Sequence, residues 1–319
     1  MSTCAVIGDI GGTNARFAIV FDQQPGWHHE QTLAVRDHPS LADALTAYLG
    51  GLSLPSAPSR AALCVACPVL GDQVALTNSP WTFSQQALRQ QMGWDRLTVV
   101  NDFVGNALAC PHLTAADRVS IGEGSSVAGF PVAVLGPGTG LGVALLVPTP
   151  DSHWLPVATE GGHVTLAART DDEADILARI RADLRAKGQD DHVSAEHLLC
   201  GSGLALLHQT LSGMENALAP AEVTARALAG SDPHAQQALT LFCSFLGSVA
   251  GNLALSSGAL GGVVLMGGIL PRILPFFQAS PFRAAFEDKG RFRSYLHDVR
   301  CDVVVHPYPA LVGLRGVIG

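Results

Sequence analysis

Three short apolar runs in this chain end abruptly in glycine turns: Gly8-Asp-Ile-Gly-Gly-Thr-Asn14, Gly136-Pro-Gly-Thr-Gly-Leu-Gly142 and Met266-Gly-Gly-Ile269. A short apolar run bounded by glycine reads as a buried strand. Strands that are apolar on both faces need helices over both faces, so the pattern demands α/β architecture with central strands. In the first two cases a second apolar run resumes within a few residues. Each is then a hairpin, and glycine lets its turn adopt positive φ and bring backbone amides close to an anion.

The rest of the chain fills in around these runs. Residues 4–10, 14–21 and 29–35 read as strands. A helix over 40–49 follows, with Ser40 at its cap and Leu41, Ala44, Leu45 and Tyr48 at helical spacing. Strands over 60–66 and 97–100, with a helix between them, complete a mixed sheet with flanking helices. The middle of the chain repeats this logic with strands over 119–121, 131–135 and 141–147. Residues 171–187 open with acids and close with bases, as a helix macrodipole favours. Helices over 194–200, 203–211, 221–229 and 233–255, strands over 263–266 and 302–305, and a helix over 310–317 follow. With 319 residues, at roughly 150 per domain, two lobes are expected.

Composition excludes several functions. The formal charge is −8, and only two of the 19 basic residues are lysines, Lys187 and Lys289. No basic run exists, so no nucleic-acid partner is expected. No charged residue lies between Glu123 and Asp151 or between Asp232 and Arg272. Length alone would allow membrane spans, but Gln236, Gln237, Ser244, Asn252 and many glycines point to buried core, and no membrane partner is expected. The seven cysteines are odd in number and scattered, and Cys64-x-x-Cys67 has no second pair at zinc spacing. They read as core thiols, with no zinc. Residues 1–4 run straight into a strand without the pattern of a secretory leader, so a cytoplasmic chain with reduced thiols is expected. No G-x-x-x-x-G-K-[ST] occurs, and the G-x-G at 136–138 is not followed by a helix and a ribose-binding acid, which speaks against P-loop and Rossmann folds.

Several residues offer chemistry. In the first turn, Gly8, Asp9, Ile10, Gly11, Gly12, Thr13, Asn14 and Arg16 combine amides, hydroxyl, guanidinium and carboxylate. They suit phosphate, with Asp9 able to hold Mg²⁺ directly or through water, although an ordinary hairpin reads the same way. Gly138, Thr139 and Gly140 offer a second such turn, and Gly267 and Gly268 could let an adenine or ribose lie against the backbone. Asn101-Asp102 ends a strand and opens a helix, so Asp102 is either a general base or a helix cap. Glu160-Gly-Gly-His163 can read hydroxyl groups or form a plain surface turn. Glu196 in His192-Val-Ser-Ala-Glu196 can be a ligand or simply the third residue of a Ser194-capped helix.

Taken together, Gly8-Asp-Ile-Gly-Gly-Thr-Asn-Ala-Arg16, Asn101-Asp-Phe103, Gly136-x-Gly-Thr-Gly-Leu-Gly142, Glu160-Gly-Gly-His163, His192-Val-Ser-Ala-Glu196, Gly267-Gly-Ile-x-Pro-Arg272 and Phe282-Arg-Ala-Ala-Phe-Glu-Asp-Lys-Gly-Arg-Phe292 resemble the bacterial glucokinases of enterobacterial type, within the sugar kinase/actin/Hsp70 superfamily. The resemblance runs from about residue 5 to 313. It implies a two-lobed actin-like ATPase (ribonuclease H-like) fold, with a small lobe over 1–111 plus about 301–319, a large lobe over 112–300, and the active site in the cleft between them.

The implied activity is ATP- and Mg²⁺-dependent phosphorylation of D-glucose to glucose 6-phosphate, by a homodimer. Asp9, Gly11, Gly12, Thr13 and Asn14 would form the first phosphate loop and Gly138, Thr139 and Gly140 the second. Gly267 and Gly268 would line the adenosine. Asn101, Glu160, His163 and Glu196 would bind sugar hydroxyls, with Asp102 as base. The related repressor/kinase group carries a cysteine-rich zinc motif after the E-G-G-H-like segment, and residues 165–175 here have no cysteine. A kinase for another hexose (mannose, fructose or an N-acetyl amino sugar) and a non-enzymatic sugar or nucleotide sensor are the rival readings. One departure is local: His306-Pro-Tyr-Pro-Ala-Leu-Val-Gly313 stands where the family more often has N-P-G-L-L-G, which leaves the packing of the tail open.

Overall fold

The strand Cys4–Ile10 (β1) is buried on both faces, with Asp9 half-buried near its end. It pairs antiparallel with Asn14–Phe21 (β2), from Cys4↔Phe21 to Ile10↔Ala15. A computed structural model describes residues 3–77, 79–151 and 153–318. The expected lobe ends at Met1, Ser2 and Gly319 lie outside the described residues. The chain divides into two units, 3–114 with 306–318, and 115–305.

In the first unit, His28–Ala34 (β3) pairs antiparallel with β2, and Arg60–Val65 (β4) runs parallel to β1. Gln73–Ala75 (β5) and Thr82–Ser84 (β6) form a small separate hairpin, and Arg96–Asn101 (β7) runs parallel to β4. The sheet order is β3-β2-β1-β4-β7. Three helices accompany it: Leu41–Gly50 (α1), Gln85–Gln91 (α2) and Asp102–Ala109 (α3). Ser40 caps α1, its hydroxyl accepting from the Asp43 N–H at 3.1 Å, a contact worth about 1 kcal/mol. Alternation along β1 sorts the core. Cys4, Val6 and Ile10 join Leu41, Ala44, Leu45 and Tyr48 of α1. Ala5 and Ile7, with Ala18, Val20, Ala62 and Cys64, face Ala310, Leu311, Leu314 and Ile318 of the terminal helix Pro309–Ile318. The tail is therefore firmly packed despite its unusual sequence, and Arg60 donates to the Ile318 carbonyl at 2.9 Å.

In the second unit the strands are Arg118–Ser120 (β8), Val132–Pro137 (β9), Leu141–Pro148 (β10), Trp154–Thr159 (β11), Gly262–Leu265 (β12) and Cys301–Val304 (β13), in the order β11-β10-β9-β12-β13-β8. The pairings from β11 to β13 are antiparallel, antiparallel, parallel and parallel, the same succession as in the first sheet. The small lobe was expected to take the chain from about 301 onward. Instead β13 belongs to the second unit, because it is held between β12 and β8. Its helices are Asp171–Ala186 (α4), Ala195–Leu198 (α5), Gly201–Ser212 (α6), Pro220–Ala229 (α7), Pro233–Ser257 (α8), Leu274–Ala279 (α9), Phe282–Glu287 (α10) and Arg293–His297 (α11). By length and composition α8 could cross a membrane. Here it is a core helix, with Phe242, Phe245 and Leu246 fully buried.

The repeated sheet order explains the three glycine turns. Two follow corresponding strands, β1 and β9, and the third follows β12, the counterpart of β4. The chain leaves β4 and β12 by equivalent bonds: Ala66 N–H to the Ile10 carbonyl and Met266 N–H to the Leu135 carbonyl, each 3.0 Å.

Candidate active site

In the first unit the turn after β1 closes when the Gly11 N–H donates to the Asn14 carbonyl at 2.9 Å. Thr13 and Asn14 are exposed at its tip. Gly8 and Ile10 serve the sheet: a side chain at Gly8 would strike Leu63 and Phe17, and Ile10 is wholly buried. Asp9 lies on the face of β1 that carries Ala5 and Ile7. Its side chain is one-third exposed and stands 3.9 Å from Arg16 across the hairpin. The Cys64 thiol donates to Asp9 Oδ1 at 3.4 Å. Burial pushes the Asp9 carboxyl above its ordinary range, against the pull of Cys64 and Arg16.

At the end of β7, Asn101 rather than Asp102 is the helix cap. Asn101 Oδ1 accepts from the Phe103 N–H at 2.9 Å, and its Nδ2 donates to the Cys67 carbonyl at 3.3 Å. Asp102 is the first residue of α3 and is half-buried, and its Oδ1 also accepts from Phe103 N–H, at 2.8 Å. Burial first, and then the negative charge of Asp9, push the Asp102 carboxyl up to about 6. A carboxylate with that affinity for protons suits general-base work near neutral pH.

In the second unit the turn between β9 and β10 is closed by the Gly138 N–H donating to the Gly140 carbonyl at 2.8 Å. The expected positive φ is absent from both hairpins, since none of Gly11, Gly12, Gly138 and Gly140 adopts it. At Gly140 the need is space: a Cβ there would lie 2.5 Å from Glu196 Oε2. At Gly267 both reasons hold, with φ +104° and a Cβ that would meet the Pro137 carbonyl oxygen at 2.5 Å. Gly268 has open space where a side chain would be.

Ser194 caps α5 by accepting from His197 N–H at 3.2 Å. That leaves the Glu196 carboxylate to reach the second turn, where Oε2 accepts from the Leu141 N–H at 2.8 Å. Glu160 precedes the 3-10 turn Gly161–His163. The His163 imidazole stands between two carboxylates, 3.8 Å from Glu160 and 4.0 Å from Glu196. Thr139, His163 and Glu196 line one cavity of about 420 Å³, within the usual range for small-molecule sites.

Sequence reasoning overlooked Asp190, His197, Cys200 and Ser202, which line the same cavity. His197 had the one available signal, its place beside Glu196. It also left Cys64 as a plain core thiol, although that side chain meets Asp9. Among the described residues no cluster of three metal-ligating side chains occurs.

Comparison with solved structures places this architecture. The crystal structure of a glucokinase from an Antarctic psychrotroph superposes with a TM-score of 0.89, at 35% identity over 99% of both chains. A ROK-family glucokinase of Streptomyces griseus, solved with glucose and AMPPNP, shares the fold at a TM-score of 0.60 and 17% identity over 98% of both chains. The chain is thus an α/β protein of the actin-like ATPase fold shared by the sugar kinases. A family model for glucokinase matches residues 6–318. The glucokinase of Paramagnetospirillum magneticum is 45% identical over 100% of this chain and 98% of its own, and that of Yersinia pestis 43% identical over 98% and 95%. The chain belongs to the glucokinase family.

Proposed function

We infer that this enzyme transfers the terminal phosphoryl group of ATP to the 6-hydroxyl of D-glucose, with Asp102 as general base. The observation that carries the reading is the half-buried Asp102 carboxyl at the head of α3, raised to about 6, in a chain that matches the glucokinase model over residues 6–318. At pH 7 roughly nine-tenths of such a group is ionised. It takes the proton of the 6-hydroxyl as that oxygen bonds to the γ-phosphorus. The bond from phosphorus to the β–γ bridging oxygen breaks, and ADP leaves with that electron pair. Catalysis of this kind is mostly positioning and charge stabilisation.

The chain offers the parts. The exposed Thr13, Asn14 and Thr139 at the two turns face the phosphates, Arg16 balances their charge, and the open space at Gly268 leaves room for adenosine beside Gly267. The Asp9 carboxylate, one-third exposed and with Arg16 held off at 3.9 Å, fits a hydrated Mg²⁺, which when bound neutralises phosphate charge. Asn101, Glu160, His163 and Glu196 take the sugar hydroxyls. Seven buried cysteines suit a reducing cytoplasm, and family membership favours a homodimer.

A coupled ADP-release assay with Mg·ATP over a panel of hexoses tests the reading. Glucose is expected to give the highest kcat/KM. A higher value for mannose, fructose or an N-acetyl amino sugar would move the assignment to that sugar, and turnover with none would leave a sensor.

A further inference from the structure

The turn His306-Pro-Tyr-Pro309, which departs from the family pattern, has neighbours that give it a task. Arg16 on β2 lies directly opposite Asp9 on β1. Its guanidinium carbon sits 4.3 Å from the centre of the Tyr308 ring. Its Nε faces Glu30 at 3.6 Å and is enclosed without a hydrogen bond among the described residues. Glu30 is held in turn by the Trp27 indole N–H at 2.9 Å. Trp27 packs edge-on against His306, with ring centres 6.1 Å apart, and His306 Nδ1 accepts from the Tyr308 N–H at 3.0 Å. The ring of contacts closes on itself: His306, Trp27, Glu30, Arg16, Tyr308.

We propose that Tyr308 is a positioning residue for the nucleotide: its ring fixes the plane of the Arg16 guanidinium so that the charge is presented beside Asp9 at the phosphate turn. The proposal rests on the reading of that turn given above. An arginine carries several rotatable bonds, and an unguided guanidinium would spend itself on the two carboxylates near it. An aromatic face selects one orientation, because a cation is attracted to the ring while the planar group stacks on it. The carboxylates of Asp9 and Glu30 then meet only the Nη1 and Nε edges, at distances beyond a good hydrogen bond. The remaining N–H groups stay available to an anion. With Pro309 and Gly313 set on the family pattern N-P-G-L-L-G, Tyr308 stands where that pattern has asparagine, which offers no such face.

The test uses the full chain and four variants. Tyr308→Leu keeps apolar packing beneath the terminal helix but removes the ring. Tyr308→Phe keeps the ring. Glu30→Gln keeps shape but removes a charge, and Arg16→Gln serves as control. Mg·ADP binding is measured by titration calorimetry, and KM for ATP and for glucose by steady-state assay. Tyr308→Leu is expected to weaken Mg·ADP binding and raise the KM for ATP by about fivefold, with the KM for glucose moving less than twofold. Tyr308→Phe is expected to recover most of that loss, and Glu30→Gln to affect ATP alone. Equal shifts in both KM values, or a Phe variant as impaired as the Leu variant, would overturn the proposal. If Arg16→Gln binds Mg·ADP as wild type does, the reading of the phosphate turn fails. If Arg16→Gln weakens binding and Tyr308→Leu does not, the Tyr308 assignment alone fails.

Discussion

Asp102→Asn separates activity from stability in opposite directions. In the folded chain the Asp102 carboxyl titrates at about 6 against an ordinary 3.8, chiefly because burial opposes its charge. A shift of about two pH units corresponds to about 3 kcal/mol at pH 7 if the whole of it survives solvent. The side chain is only half-buried, and screening reduces this to about 1–1.5 kcal/mol. The sign follows from the direction. A carboxyl raised on folding costs stability once it ionises, so the cost is fully present above pH 6, about half gone at pH 5, and absent below 3.8. Asparagine carries no charge and still offers an oxygen to the Phe103 N–H, which Asp102 accepts at 2.8 Å. Asp102→Asn is therefore expected to raise the thermal midpoint of its unit by about 3–6 °C at pH 7.5, and by less at pH 5. The same change is expected to lower kcat by about 10²–10⁴, the usual worth of a general base. In the wild type, kcat/KM is expected to fall as pH drops through about 6. Calorimetry at the two pH values and a pH–rate profile measure these effects. A lowered midpoint together with turnover within a few-fold of wild type would show that Asp102 only opens the helix.

Other substitutions sort the remaining site residues. Gly140→Ala is expected to leave the melting temperature nearly unchanged, because the flexible Glu196 carboxylate can move off the new Cβ, yet to raise the KM for glucose, since the displaced group is the one Leu141 N–H now holds; steady-state kinetics beside a thermal melt decide it. Gly267→Ala meets a positive φ and a backbone carbonyl together, and is expected to cost about 1–3 kcal/mol, read as a fall in the midpoint of urea unfolding. Glu160→Ala and His163→Ala are expected to raise the KM for glucose well beyond that for ATP, by about 1–3 kcal/mol of lost hydrogen bonding; equal effects on both would mark a structural turn.

Much of the fold was legible because its signals are local. The apolar run at Cys4–Ile10 and the glycines after it define β1, the hairpin and its register. The acid-to-base gradient of Asp171–Ala186 and the caps at Ser40 and Ser194 define helices by the same short-range logic. Local reasoning passed over Trp154–Thr159, an edge strand that tolerates Pro156 and leaves Leu155 and Val157 exposed. It also passed over the short helices of 274–297, where Pro275 and Pro281 interrupt any helical period. The residue types of the site could be read from motifs, but not what each side chain does. Glu196 reaches Leu141 across 55 positions, and Cys64 meets Asp9 across another 55. Both contacts arise only when strands or turns distant in sequence come together. Which residue caps the helix at 101–102 is a matter of backbone geometry: Asn101 takes the extended conformation of a cap, and Asp102 begins the helix.

The terminal helix has a consequence for biosynthesis. Its partners Ala5, Ile7, Ala18, Val20, Ala62 and Cys64 leave the ribosome early, and the last strand of their sheet ends at Asn101. The helix that shields them begins at Pro309, about 200 residues later. At about 5–20 residues per second the nascent sheet waits about 10–40 s with the part of this face around Ala5, Ile7, Ala18 and Val20 uncovered, while α3 already packs on Cys64. During that interval residues 115–305 can mature as a unit of their own, while the first unit remains a client for chaperones. Truncation within Pro309–Ile318 therefore leaves a chain prone to aggregate before any effect on catalysis can be measured.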